Sequence, residues 1–391
     1  MKYNKKQLLQ GAKKTVFISF FFFLILGCRK ESCDCPVIST HRTVLVYLGV
    51  DNNFRAEAAE KIKQLTINWN KAFDGNLLVY ADAGAKPVLL HIYHSERRGN
   101  VADTIASYPA ENSAGSATFA RVLNMVKAYR PADSYGLVVL SHATGWLPAN
   151  MSNPIALRSV IIDTGPEVDK AENYMELADF AKAIPYKLNF AVFDACFMAS
   201  VEVAYELKDK VEYIVASPTE VLAPGFIYTS MMQHLFKPQP DLTAVAREFY
   251  EFYDDYESGL PRSATVSLIK TSALDVLAQL FKEITTTVHP FSENVENIQT
   301  FGYAGQKIYF DLGDRLLHLS PEKSEEIKNV FNQCILYKAN TPSYYSAGTL
   351  GLQPIRAFSG LSVYIPQATF PQANAAYSRL KWAEATDYDL H

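Results

Sequence analysis

The chain of 391 residues carries 37 basic and 41 acidic residues, which gives a formal net charge of −4. A hydrophobic content of 49% at this length supports a globular body with a sizeable core and excludes a disordered protein. The mild acidity and the lack of a basic patch argue against nucleic acid as a partner.

The first 27 residues have the features of a targeting segment. A basic start without acidic residues precedes an apolar run over residues 16–26. That run is too short for a membrane-spanning helix, which needs ~20 residues. Ile25-Leu26-Gly27-Cys28 resembles the lipobox of bacterial lipoproteins. The resemblance implies a lipoprotein signal peptide over residues 1–27 and lipid attachment at Cys28.

Removal of this segment changes the charge and the expected location. It takes away five basic residues (Lys2, Lys5, Lys6, Lys13 and Lys14) and no acidic one, which leaves a net charge of −9. We expect a protein of the bacterial cell envelope, anchored to a membrane by lipid and facing the periplasm or the cell surface.

The remaining cysteines do not form a disulfide framework or a metal site. Cys33 and Cys35 lie in residues 28–40, which are expected to be a tether, and no second Cys/His cluster of suitable spacing follows. Cys196 and Cys334 are isolated in the sequence. No Asp-x-Asp-x-Asp-Gly loop occurs, so the sequence identifies no calcium site, and we expect no metal or other cofactor.

Apolar strand-like runs alternate with helical spacings from residue 43 onward. Strands are expected at 43–50, 77–81, 88–93, 137–140, 190–193 and 213–216, and helices at 54–70, 116–129 and 198–207. The strands near residues 140 and 190 are almost continuously apolar, as central strands are. This alternation predicts a mostly parallel sheet with helices on both faces.

Two regions depart from the alternation. Residues 147–173 contain three prolines and a glycine, and a loop of this length inside a domain is usually functional or disordered. The chain after about residue 240 has more helix, at 242–256 and 273–288, with short strands at 264–269 and 360–365.

His142 and Cys196 each follow the end of an apolar strand. Ligands bind at the carboxyl ends of the strands in parallel α/β sheets. A base and a nucleophile at two such ends suggest a Cys–His catalytic dyad. The alternative is a surface histidine and an unrelated buried cysteine.

A helix is expected to begin directly after Cys196. Its N-terminus would lower the pKa of the thiol and offer N–H groups to an oxyanion. Asp194 is two residues before the cysteine, and residues two apart share one side of an extended backbone. Its carboxylate would either form an anionic pocket beside the reacting carbon, or cap a helix or brace a loop, and both interpretations stay open.

These motifs together resemble the clostripain family of cysteine peptidases. The segment Asp194-Ala-Cys196-Phe-Met-Ala-Ser-Val-Glu-Val-Ala-Tyr-Glu-Leu is similar to the family's nucleophile motif. Ser141-His142-Ala-Thr-Gly145-Trp146 is similar to its His-Gly-x-Gly-Trp motif. Asp51-Asn-Asn53, Pro131-Ala-Asp-Ser-Tyr135 and Gly360-Leu-Ser-Val-Tyr-Ile-Pro366 also match family signatures, so the resemblance covers roughly residues 41 to 385.

The resemblance implies a caspase-like α/β fold with a catalytic core at 41–240 and a C-terminal α+β extension at 241–391 that packs on the core. It implies an endopeptidase that cuts protein or peptide substrates after Arg, and less often after Lys. Cys196 would be the nucleophile and His142 the general base and acid, without a third orienting residue. Asp194 would line the primary specificity pocket, and the N–H groups of Ala143 and Cys196 would form the oxyanion hole.

Ala143 departs from the family, which usually has Gly at this position. If the position needs a positive φ, Ala costs roughly 1–2 kcal/mol. Glu220 follows the next strand, where it would add a second acid to the specificity pocket or remain a solvated loop residue.

The family is often activated by a cut between the His and Cys strands. Here the matching segment is 147–173, where Arg158 is the first candidate for cleavage and Lys170 the second. A monomer is expected. The alternative function is a non-catalytic lipoprotein that binds peptides on a peptidase scaffold.

Overall fold

The computed structural model describes residues 40–84, 86–148, 160–163, 173–257, 259, 261–288, 291, 293–303, 305–347 and 351–388. The strands in chain order are β1 (Thr40–Gly49), β2 (Asn76–Asp82), β3 (Val88–Ser95), β4 (Gly99–Ser107), β5 (Ala132–Leu140), β6 (Ile161–Ile162), β7 (Tyr174–Met175), β8 (Leu188–Asp194), β9 (Val211–Ala216), β10 (Thr265–Lys270), β11 (Thr300–Tyr303), β12 (Gln306–Asp311), β13 (Ile335–Asn340), β14 (Ser343–Ser346), β15 (Gly351–Pro354) and β16 (Ser362–Tyr364). The helices are α1 (Arg55–Ile67), α2 (Ser116–Tyr129), α3 (Leu177–Ala183), α4 (Val201–Leu207), α5 (Tyr228–Leu235), α6 (Leu242–Asp254), α7 (Leu274–Thr285), α8 (Leu312–Leu319), α9 (Ser324–Cys334), α10 (Pro371–Tyr377) and α11 (Lys381–Thr386).

A nine-stranded sheet in the order β13-β10-β9-β8-β5-β1-β2-β3-β4 runs through the molecule. The five strands from β9 to β2 pair in parallel. The outer strands pair antiparallel, β10 and β13 on one side and β3 and β4 on the other. The predicted α/β class with a mostly parallel sheet is confirmed in its central strands.

Helices cover both faces of the sheet because the central strands are apolar on both sides. One face packs against α1, α5 and α6 through residues such as Leu65, Met232 and Phe249. The other face packs against α2, α3, α4 and α7, with Phe119 and Phe180 stacked at 4.8 Å between ring centroids. Strands that are buried on both faces place their polar residues at their ends, where a site can form.

The chain after residue 240 adds to both the sheet and the helical layers. Strands β10 and β13 extend the central sheet beyond β9. A separate three-stranded sheet of β11, β12 and β16 lies next to the nucleophile region, since Ser362 forms a parallel bridge with Ser200. Among its described residues, this region also contains the two-stranded sheet of β14 and β15 and six helices, α6 to α11. Within the part of the chain that the structure describes, no helix has the length and apolar character to cross a membrane.

Candidate active site

Two turns at the carboxyl edge of the sheet carry His142 and Cys196. They follow β5 and β8, which are adjacent and parallel, with Leu140 directly opposite Asp194. His142 and Cys196 therefore each lie two positions beyond this pair of directly opposite residues. Register alone brings the imidazole-bearing turn and the thiol-bearing turn side by side at one edge of the sheet.

The His142 ring is held by the turn that follows β1. Its Nε2 atom is 2.5 Å from Oδ1 of Asn53, and its ring stacks on Phe54 with centroids 4.0 Å apart. Because an amide oxygen only accepts hydrogen bonds, Nε2 carries the proton and Nδ1 is left as the basic nitrogen. Burial lowers the pKa of His142 to about 4. The imidazole is therefore neutral at physiological pH.

The Cys196 thiol is partly buried and contacts the segment after β9. The N–H of Val221 donates to Sγ at 3.3 Å. Burial raises the pKa of the thiol to about 12, with smaller contributions in the same direction from Glu220 and Asp194. No hydrogen bond joins the thiol to the His142 ring among the described residues. The resting site thus holds a protonated thiol and a neutral imidazole.

The expected helix directly after Cys196 is wrong. Phe197 has a φ of 60°, which no helical residue adopts, and α4 begins only after Ser200, whose side chain accepts from the N–H of Val203. The N–H groups of Phe197 and Ala199 donate to carbonyls of the segment after β9, at 3.0 Å each. The helix N-terminus therefore lies too far along the chain to lower the pKa of the thiol.

The concern over Ala143 is also removed. Its φ is not positive, so Ala carries no conformational cost there. The left-handed position is Gly145, with a φ of 68°, where an added Cβ would lie 2.8 Å from the carbonyl oxygen of Phe197. Neither Ala143 nor Cys196 donates its N–H to another described residue.

Tyr309 of β12 contacts both turns. Its hydroxyl donates to the carbonyl of Thr144, and its ring stacks on Phe197 with centroids 5.0 Å apart. The side chain is fully buried. Sequence reasoning missed this residue, because β12 lies more than a hundred positions beyond Cys196 and carries no local signal.

Asp194 lies beneath the segment 222–226. Its carboxylate is 2% exposed, and Oδ1 accepts from the N–H of Phe226 at 3.2 Å. A Cβ at Gly225 would lie 2.3 Å from Oδ1, so the segment packs directly on the carboxylate. Burial raises the pKa of Asp194 to about 6, and the positive charge of Lys61 opposes this rise.

Lys61 is a second residue that sequence reasoning missed. The residue lies on α1 and is only 4% exposed. Its ammonium donates to the carbonyl of Pro224 at 2.6 Å and lies 4.3 Å from the centre of the Tyr228 ring. Asp194 and Lys61 thus both hold segment 222–226 through hydrogen bonds to its backbone. A single lysine on a predicted helix gave no signal of this contact.

Glu220 accepts a hydrogen bond from the residue that follows β14. Both of its carboxylate oxygens lie 3.1 Å from the N–H of Ala347. Burial raises the pKa of Glu220 to about 7. Its proposed part in binding a basic side chain stays a prediction.

Three predicted sites lie outside the described residues: Cys28, Arg158 and Lys170. Within the described ranges, no group of three or more His, Cys, Asp or Glu side chains is arranged to hold a metal ion.

Comparison with known proteins assigns the chain to one family. A sequence model of the clostripain family matches residues 46–379. The chain belongs to the clostripain family of cysteine peptidases. The expected family, enzyme class and α/β fold are confirmed. A comparison with curated protein sequences found no match.

Solved structures of clostripain-family proteases resemble the chain over most of its length. An inactive zymogen of a C11 protease from Parabacteroides distasonis is 30% identical with a TM-score of 0.77, covering 89% of this chain and 99% of that one. A secreted C11 cysteine protease from Bacteroides thetaiotaomicron, in complex with an irreversible peptide inhibitor, is 28% identical with a TM-score of 0.78 over the same shares. A clostripain from Bacteroides thetaiotaomicron in complex with the peptide inhibitor BTN-VLTK-AOMK is 29% identical with a TM-score of 0.50, covering 56% of this chain and 96% of that one.

Proposed function

We propose that this clostripain-family peptidase cuts peptide bonds with Cys196 as nucleophile and His142 as general base and acid. The observation that carries the proposal is the register of β5 and β8. Leu140 lies opposite Asp194, so His142 and Cys196 each follow two positions after this pair. Nucleophile and base on adjacent turns are the arrangement that covalent catalysis requires.

The protonation states support a proton transfer that accompanies attack. Nδ1 of His142 takes the thiol proton as Sγ bonds to the peptide carbonyl carbon, which forms a tetrahedral oxyanion and an imidazolium. The imidazolium then gives this proton to the departing amine, and the C–N bond breaks to leave a thioester. Water, deprotonated by His142, hydrolyses the thioester and restores the thiol. The N–H groups of Ala143 and Cys196, without partners among the described residues, are proposed to bind the oxyanion.

Cleavage after basic residues, with Arg preferred over Lys, is the proposed specificity. Asp194 lies two residues before the nucleophile, and a carboxylate binds a guanidinium through two hydrogen bonds. The peptide VLTK in the inhibitor of one relative ends in a basic residue. Because Gly225 and Phe226 pack on the carboxylate, a basic side chain must displace these two residues to reach Asp194.

Two substitutions test the dyad. Cys196→Ala should abolish cleavage of Arg-containing peptides, and His142→Ala should cost a comparable factor because the two residues act as a unit. Cys334→Ala is the matched control, since Cys334 is fully buried in α9 and away from both turns. Near wild-type cleavage by the Cys196→Ala protein would overturn the proposal. Peptides that bind without being cut by the wild-type protein would favour the non-catalytic alternative.

Asp194→Asn tests the specificity. The substitution keeps the size of the side chain and removes its charge. It should lower kcat/KM for Arg peptides far more than for neutral peptides. Equal losses for both would show that Asp194 only supports segment 222–226.

We also propose that the protein is a monomer, anchored in the bacterial cell envelope by lipid on Cys28. The lipobox-like Ile25-Leu26-Gly27-Cys28 supports the lipid anchor. Radiolabelled palmitate should label the wild-type protein and not the Cys28→Ala variant. Equal labelling of both would contradict the anchor.

A further inference from the structure

We propose that a cavity beside Cys196 binds an apolar side chain of the substrate, at a position before the cleaved bond. The cavity has a volume of about 320 Å³, at the lower end of the range for ligand pockets. The inference rests on the proposed peptidase function and adds a second determinant of specificity to the basic residue.

The chemistry of the walls selects the occupant. Leu222, Pro224, Tyr253, Tyr256, Pro261 and Tyr345 line the cavity. No charged side chain is among the described residues that line it. Three aromatic rings with aliphatic neighbours favour an aromatic or branched aliphatic side chain over a polar one.

The backbone connects this cavity to the nucleophile. Val221, which donates its N–H to Sγ of Cys196, immediately precedes the wall formed by residues 222–224. Three residues span at most ~10 Å of chain. An extended peptide advances about 3.3 Å per residue, so a side chain about two to four positions from the cleaved bond reaches the cavity.

The strand order indicates which half of the substrate lies there. The His142 turn follows β5, the Cys196 turn follows β8, and the wall at 222–224 follows β9, with β8 between the other two strands. His142 hands its proton to the leaving amine, so the substrate beyond the cleaved bond lies on the β5 side. The part before the cleaved bond therefore extends over the β9 side, where the cavity is.

Hydrogen bonds hold the lining residues of the cavity in place. The Tyr253 hydroxyl shares its one proton between the carbonyls of Gly225 and Leu222, at 3.2 and 3.4 Å. The N–H of Tyr345, another lining residue, donates to Oγ of Ser263 at 2.7 Å. Two positions further on, the N–H of Ala347 donates to Glu220. Walls held by such hydrogen bonds lower the cost of ordering on binding.

The test measures cleavage of Arg peptides in which one position at a time carries Phe or Gly. For the wild-type protein, kcat/KM should be higher with Phe at one position two to four residues before the cleaved bond. The Phe/Gly ratio, which is kcat/KM for the Phe peptide divided by kcat/KM for the Gly peptide, should fall roughly tenfold in Tyr256→Ser and Tyr345→Ser. Tyr129→Ser, a change of an exposed tyrosine at the end of α2, is the matched control and should keep the wild-type ratio.

Binding to the Cys196→Ala protein, measured by calorimetry with the same peptides, separates this inference from the proposed function. Tighter binding of the Phe peptide without any cleavage by the wild-type protein would keep the cavity and refute the peptidase mechanism. Cleavage with no Phe preference, with a preference only beyond the cleaved bond, or with a ratio unchanged in both tyrosine variants would refute the cavity. Tyrosine variants that have a lower melting temperature but an unchanged Phe/Gly ratio would also count against the cavity.

Discussion

Burial sets the resting protonation state of both proposed catalytic groups. The pKa of His142 is lowered to about 4 and that of Cys196 is raised to about 12, so both groups are neutral between these limits. The thiolate, which alkylating agents attack, is therefore scarce at pH 7 and increases as the pH rises. A stable thiolate–imidazolium pair would show the opposite behaviour, with fast alkylation already in weak acid.

We therefore predict slow alkylation of Cys196 by iodoacetamide at pH 6–7 and a steady increase towards alkaline pH. Mass spectrometry of the peptide that contains Cys196 measures the rate. Cys334, which is fully buried, serves as the internal control and should stay unlabelled in the folded protein. Fast labelling of Cys196 that does not change between pH 5 and 7 would contradict the neutral resting pair.

Asn53 determines which nitrogen of His142 carries the proton, because its Oδ1 atom can only accept. Asn53→Ala should lower kcat by up to about 100-fold through loss of ring orientation, with little change in KM. Asn53→Asp places a negative charge beside the ring, which favours the imidazolium and raises the pKa of His142. The acid limb of the kcat/KM profile should then move to higher pH. Asn124→Ala, an exposed change on α2, is the control. An unshifted acid limb in Asn53→Asp would argue against the contact.

At the scale of elements, the turns that carry His142 and Cys196 touch through their left-handed residues. Gly145 and Phe197 both have φ near 60–70°, and Gly145 packs against the carbonyl of Phe197. Tyr309 closes the contact from β12. The geometry of the proposed dyad therefore depends on the close approach of two turns that the sheet brings together.

Gly145→Ala tests this dependence, with Gly99→Ala as a matched control. Both glycines have a φ near 70°, so either substitution costs roughly 1–2 kcal/mol of unfolding free energy. Only at Gly145 does the new Cβ meet another turn, while nothing lies within 4 Å at Gly99. We expect Gly145→Ala to lose about 100-fold in kcat/KM, and Gly99→Ala to keep it. Denaturant unfolding and peptide cleavage measure the two effects. Equal activities would show that the turns tolerate separation.

The elements that periodicity predicted well are the buried ones. Helix α2 has the predicted bounds, since its apolar face packs entirely on the sheet. Strand β4 was missed because it is an edge strand, half-exposed along its length and without a continuous apolar run. The start of α4 was placed three residues early, because an apolar sequence does not reveal the left-handed backbone at Phe197.

The same limit applies to the site. Strand ends predicted His142 and Cys196 because that signal is local. The contacts of Asn53 and Tyr309 with the His142 turn join residues 89 and 165 positions apart, and only the folded sheet brings them together. Asn53 follows β1, the neighbour of β5, so the strand-end rule extended to that strand would have found it. No local pattern marks Tyr309 or Lys61.

At the scale of the whole molecule, the part after residue 240 completes the central sheet. β10 pairs with β9, and Val266 and Leu268 join the core face that α5 and α6 cover. Residues 41–240 alone would leave β9 as an unpaired edge and lose the cover of α6. We predict that this fragment does not unfold cooperatively in urea, whereas residues 41–391 do. A sharp unfolding transition of the fragment, followed by circular dichroism, would show that the core is independent.

Self-cleavage of the loop between β5 and β8 stays a prediction, and it belongs to the scale of the whole chain. Arg158 and Lys170 are the candidate sites, and the described residues between and beside them form a small hairpin. Ile161 and Ile162 of β6 pair with β7 and are fully buried. A chain cut after either residue should keep this hairpin, because buried apolar side chains hold both strands to the core.

We predict that the active protein is cut after Arg158, so that a new N-terminus begins at Ser159. The two fragments should elute together in size-exclusion chromatography and separate only in denaturant. Cys196→Ala should stay intact, Arg158→Ala should move the cut to Lys170, and the double variant at both basic residues should remain one chain. N-terminal sequencing reads these outcomes directly. A fully active wild-type enzyme that stays as one intact chain would show that the loop is not an activation site.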